Sequence, residues 1–266
     1  MRGTNPRLAA SSYSNTAPLI WSFLYGLNHG KAEIILDTAP ARSAELLSQD
    51  RVDAALVPVI AYQFIDGVRL IPDVCVGARK RVRSVCLVTK GQDLAEVKTV
   101  SLDISSRTSA VLTKTIFREF IGVEPEWLDA KPDIEVMLES SDCALIIGDP
   151  ALSIDESRLR KFDLVETWRK YTDLGFVFAM WMTRKPDCSI NLAAARDEGL
   201  AHVEDIAANY AGEIPLSRDE LKHYLSENIS YSIDDEMRRG MELYFKLAQK
   251  NGLLTENKPL VYLENL

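Results

Sequence analysis

The chain has 266 residues, 47 % of them apolar, and its 31 Lys plus Arg against 39 Asp plus Glu leave a net charge of −8. That balance argues against general nucleic-acid or anionic-membrane binding, which needs a basic surface, while a local pocket can still hold an anionic metabolite. The length allows one full core or two smaller ones.

The N-terminal stretch MRGTNPRLAASS has no apolar signal-peptide core, and no later run reaches membrane-spanning length, so a cytoplasmic protein is expected. Cys75, Cys86, Cys143 and Cys188 lie far apart, three of them in apolar strand-like runs, which predicts reduced, buried thiols. His29, His202 and His223 share no ligand spacing. Neither a metal nor another cofactor is expected.

In chain order, LAASSYSNTAPL (8–19) reads as a short strand entering a loop of small hydroxyls, then a helix over 17–28 with Pro18 in its first turn. Such a loop aims backbone N–H groups and short polar side chains at one point and suits an anion. Strands follow at 33–36 and 52–57 around a helix at 40–49 opened by Pro40, the pattern of a parallel α/β sheet. Strand-like runs at 73–77 and 84–89 flank the basic stretch ARKRVRS. The pattern restarts with a strand at 100–103, a second hydroxyl-rich loop (LDISSRTSA) and a helix over 106–121 that Gly122 closes as a left-handed cap. A strand near Trp127, a helix near 132–140 and a strand at 143–147 complete the second unit, and GDPAL follows. The apolar run FVFAMWM (176–182) predicts a strand buried on both faces. Long helical stretches cover 190–210 and 233–250, and Ser217 with Glu220 forms a capping box between them.

These elements predict two lobes: one from residues 1–87 and 183–266, with the other, 88–182, inserted in it. Two crossings between lobes make a hinge over a shared cleft. The two polar loops are expected to face each other there and to hold a carboxylate-bearing small molecule.

Each candidate residue has a competing structural role. Asn15 can donate and accept toward a substrate hydroxyl or carboxylate, or form an Asx turn or helix cap. Ser105, Ser106, Arg107, Thr108 and Ser109 at a helix start suit a carboxylate, and one cap would not need four hydroxyls. Arg79, Lys80, Arg81 and Arg83 read as a solvated basic turn or as anion-steering groups. Asp149 follows an apolar strand, where open α/β sheets place functional side chains, and equally suits a helix start. There is no G-x-G-x-x-G, Walker loop, G-x-S-x-G or H-E-x-x-H.

Taken together, SSYSNTAPL (11–19), DAALVPVIAY (53–62), VCVGARKRVRSVCL (74–87), SLDISSRTSAVL (101–112), ALIIGDPAL (144–152) and DLVETWRKYTDLGFVFAMW (163–181) resemble the chorismate dehydratase family of the futalosine route to menaquinone. The helical C-terminal third matches only loosely. Two stretches depart from the family pattern: TDLG (172–175) stands for threonine–glycine–leucine–proline, and the loop before Ser84 is basic where the family is glycine-rich and neutral. The resemblance implies a two-lobed type II periplasmic-binding-protein fold, each lobe a mostly parallel sheet flanked by helices. It also implies loss of water from chorismate to give 3-[(1-carboxyvinyl)oxy]benzoate. A monomer or homodimer is expected. On that reading Asn15 acts at the reacting ring and a substrate carboxylate takes the proton. Ser12, Ser84, Ser106, Arg107, Thr108, Ser109 and Asp149 serve as binding residues. The alternatives are 1,4-dihydroxy-6-naphthoate synthase, a sister enzyme expected to carry a histidine base, and a non-catalytic binding protein for an anionic metabolite.

Overall fold

The computed structural model describes residues 5–186 and 190–264; Cys188 and the first four residues lie outside them. Strands β1 (Arg7–Ser11), β2 (Glu33–Asp37), β3 (Ala54–Pro58) and β4 (Arg69–Ala78) open the chain. Then come β5 (Val85–Thr89), β6 (Thr99–Asp103), β7 (Glu126–Ala130), β8 (Cys143–Ile147), β9 (Arg160–Asp163) and β10 (Phe176–Thr183). They form two five-stranded sheets, ordered β2-β1-β3-β10-β4 and β7-β6-β8-β5-β9.

Each sheet contains one reversed strand, β10 in the first and β5 in the second, and the other strands run in a common direction. The reversed strand in each is the one reached by crossing from the other lobe. The expected lobe edges at 87/88 and 182/183 therefore shift: β5 belongs to the inserted lobe, while β10 returns to the first. Apolarity alone cannot choose between the two, because both strands are buried whichever sheet receives them.

Central strands β3, β5 and β8 are buried along their whole length, as their unbroken apolar sequences require. Edge strands β2, β7 and β9 carry charged residues such as Glu33, Glu126 and Arg160, which discourages pairing with another chain. The fourth edge, β4, is partly covered from the C-terminal end of the chain, through bridges from Leu70 to Tyr262 and from Gly77 to Ser230. Sequence reading missed β9 and the helix Leu164–Thr172, because the strand's RKFD has no apolar alternation. The helix expected over 190–210 is broken at His202 into Leu192–Ala201 and Val203–Tyr210. Gly122 does cap its helix with φ +78°, after Arg107–Ile116 widens into a π-helical turn over Phe117–Ile121.

The hinge is built around Asp163. Its buried carboxylate accepts the N–H groups of Val82 (3.1 Å) and Arg83 (2.6 Å) in the first crossing, and of Val165 (2.9 Å) and Glu166 (3.1 Å) at the following helix start. Burial pushes this carboxyl above its ordinary range, opposed by the same N–H donors. Asp163→Ala is expected to strand these donors and cost about 2–4 kcal/mol of unfolding free energy, measured by urea denaturation.

The second crossing passes Asp173, left-handed at φ +54° and paired with Arg169 at 2.9 Å. A short acidic side chain keeps that backbone shape accessible. Helix Asp235–Lys250 seals both crossings: a Cβ on Gly240 would collide with the Gly175 carbonyl oxygen, so only glycine permits this approach. The basic loop is tied to the same helix start, Arg79 meeting Asp234 at 2.6 Å, while Arg81 lies 3.6 Å from Glu166.

Candidate active site

The two polar loops face each other across a cavity between the sheets. From the first lobe come Ser11, Tyr13, Asn15 and Thr16; from the second come Ser105, Ser106, Thr108, Ser109 and Gly148. Leu56, Val76, Val82, Val85, Ile147 and Phe178 supply apolar walls. Among the described residues, no charged side chain and no histidine lines this space.

The capping alternative fails for both loops. Ser14–Thr16 form a 3₁₀ turn running directly into helix Ala17–Leu24, and the Asn15 side chain caps neither piece. Ser106 holds the cap position of helix Arg107–Ile116 without spending its hydroxyl on a cap hydrogen bond. The Ser106 hydroxyl and the unpaired N–H groups of this helix start therefore remain available to a ligand, and the helix dipole favours a negative one.

A short hydrogen-bond chain runs along the first loop. Ser11 Oγ and Thr16 Oγ1 are 2.8 Å apart, and Thr16 Oγ1 reaches Asn15 Oδ1 at 3.4 Å. Thr108 Oγ1 accepts the Ile60 N–H at 3.3 Å from the opposite lobe, and its carbonyl accepts Tyr244 Oη at 3.1 Å. Under the second loop, Asp103 Oδ1 accepts both the N–H (2.8 Å) and the hydroxyl (2.6 Å) of Ser105. Burial pushes the Asp103 carboxyl up, with Ser105 opposing. Burial also raises the Tyr13 phenol, which stays protonated as a donor at neutral pH.

Four expected binding residues lie outside the cavity lining. Ser12 is taken up by β2, its N–H donating to the Asp37 carbonyl at 2.9 Å. Ser84 is buried and donates to the Val82 carbonyl at 3.5 Å. Arg107 points to the rim, 3.7 Å from Glu45 of the other lobe.

The fourth, Asp149, closes the cleft. It accepts the Ser14 N–H at 3.0 Å and the Ser14 hydroxyl at 2.5 Å, joining the two lobes directly. Burial pushes its carboxyl up, partly countered by Ser14. Tyr13 spans the same gap: a Cβ on Gly148 would sit 2.6 Å from its ring, and Gly148 has φ +69°. Sequence reading missed Tyr13 and Gly148; the glycine after a buried strand was the available signal.

A family model described as menaquinone biosynthesis matches residues 6–250. The chain belongs to this menaquinone biosynthesis family. It is 30 % identical over 261 residues to a Thermus thermophilus protein named chorismate dehydratase, covering 89 % of this chain and 93 % of the relative. Among solved structures, a Candida albicans gene product described as having the generic periplasmic binding protein fold superposes with TM-score 0.69 at 11 % identity, over 99 % of both chains. The periplasmic aliphatic sulphonate binding protein SsuA from Escherichia coli gives 0.65 at 15 % identity, over 99 % of this chain and 95 % of that one. This family member thus has the periplasmic-binding-protein fold that the resemblance implies. Among its described residues no helix is long and apolar enough to cross a membrane.

Proposed function

We propose that the chain is a chorismate dehydratase, a hydro-lyase that converts chorismate to 3-[(1-carboxyvinyl)oxy]benzoate and water in the cytoplasm. The observation that carries this reading is a cleft whose polar groups are all neutral, drawn from two facing loops, one of them a helix start. Chorismate is a ring acid with two carboxylates. Hydroxyls and N–H groups bind such anions by hydrogen bonding, without an opposite charge.

Helix Arg107–Ile116 offers its first-turn N–H groups with Ser106 and Ser109 to one carboxylate. The Ser11–Thr16 loop and the protonated Tyr13 face the rest of the molecule. The apolar walls hold the ring.

The reaction removes a proton from the ring carbon bearing the enolpyruvyl ether and hydroxide from its neighbour. The C–H electron pair becomes the new ring double bond, the proton and hydroxide leave as water, and aromatisation supplies the driving force. Charge developing in the ring is delocalised toward the conjugated carboxylate, where fixed donors stabilise it. Asn15 approaches the ring hydroxyl and helps it depart. With no histidine or carboxylate side chain among the described residues lining the cleft, the substrate's own second carboxylate takes the proton, and orientation by the walls makes that transfer efficient. Among the described residues no histidine lines the cleft, which favours this reading over the sister enzyme, expected to carry a histidine base.

Mixing the purified protein with chorismate and following absorbance tests the reading. Saturable formation of the aromatic product is expected. Saturable binding without product would overturn it in favour of a binding protein.

A further inference from the structure

Tyr224 begins the π-helical turn Tyr224–Asn228 that follows helix Arg218–His223, in the part of the chain where the family resemblance is loosest. Its side chain is fully buried. The hydroxyl faces the side chains of Asn15 and Ser84 without reaching hydrogen-bond geometry to either, and no other described group partners it. Burying a hydroxyl in this state carries a desolvation penalty that phenylalanine would avoid. The π-helical turn adds to the oddity, since such turns recur at functional sites.

Asn15 is just as loosely held. Its Oδ1 takes only the 3.4 Å bond from Thr16, which leaves the amide free to turn over. An asparagine amide presents a donor on one edge and an acceptor on the other, so its orientation decides what the substrate meets.

We propose that Tyr224 is a positioning residue for Asn15: its hydroxyl closes onto Asn15 Oδ1 when substrate enters and turns Nδ2 toward the departing ring hydroxyl. Burial raises the phenol, so Tyr224 keeps its proton at neutral pH and has it to donate to Oδ1. The proposal rests on the reading of Asn15 as the group at the reacting carbons.

Tyr224→Phe in the full chain is the test, with kcat and KM for chorismate and the melting temperature as readouts. The substitution removes one oxygen and no packing, so the melting temperature should hold or rise. We expect kcat to fall roughly 10- to 100-fold while KM stays within about threefold. In an Asn15→Ala background the same change should alter kcat less than about twofold, because the group it orients is gone. Wild-type kcat in Tyr224→Phe overturns the proposal, as does an equal loss in both backgrounds. A variant that fails to fold also overturns it, by showing the hydroxyl to be structural. Full activity in Asn15→Ala alone removes the underlying reading of Asn15 first, and the single variants tell the two failures apart.

Discussion

Asn15→Ala is expected to lower kcat for chorismate roughly 100- to 1,000-fold, the usual cost of one preorganised donor at a developing charge. KM should stay within about threefold, because the carboxylate donors on the facing helix start are untouched. The argument is local. Asn15 lines the cavity, is buried to 9 % exposure and caps no helix, so its amide has no structural task that alanine would disrupt. The melting temperature should therefore hardly move. Steady-state kinetics by product absorbance provide the measurement. Near-normal turnover at saturating chorismate would remove Asn15 from the chemistry.

Asp149→Ala should act on closure of the cleft instead. Two hydrogen bonds to Ser14 join the lobes beside the cavity, and both are lost with the carboxylate. The site is partly exposed, so about 1.5 kcal/mol is taken, the lower end for hydrogen bonds to a charged group. If chorismate binds the closed form, that weakens the closed state and raises KM roughly tenfold. Asp149→Asn keeps an acceptor for Ser14 and should fall between the two. An unchanged KM in Asp149→Ala would show that the lobes are held together without this contact.

Much of the frame was legible because apolar runs and turn residues carry it. Strand β8 has the bounds its sequence predicts, and Gly122 adopts the expected left-handed cap. The facing of the two hydroxyl loops followed from placing both at strand ends in an α/β design, and Asn15, Ser106, Thr108 and Ser109 do line one cavity.

What escaped sequence reading depends on long-range geometry. Asp149 and Ser14 are 135 residues apart, and nothing local marks the aspartate as a partner of the other lobe. Ser12 belongs to the same hydroxyl cluster as Ser11, yet the strand alternation turns it toward β2 and Ser11 toward the cavity. Tyr224 lies more than 200 residues after Asn15 in a helical segment, where an aromatic residue at helical spacing reads as core. The exchange of β5 and β10 between lobes was hidden for the same reason, since two buried strands look alike in either sheet.

The basic loop reads differently once folded. Arg79 and Arg81 face acidic residues beside the hinge, so half of that loop's charge is matched within the protein. Capture of the anionic substrate then falls to the neutral loops.

A crystal structure with the product bound tests the central claim most directly. It should place one carboxylate on the Ser105–Ser109 helix start and the ring between the apolar walls, with Asn15 beside the carbon that lost its hydroxyl and only neutral protein groups in contact. Product held by a histidine or charged side chain, or lodged outside the space between the two loops, would contradict it.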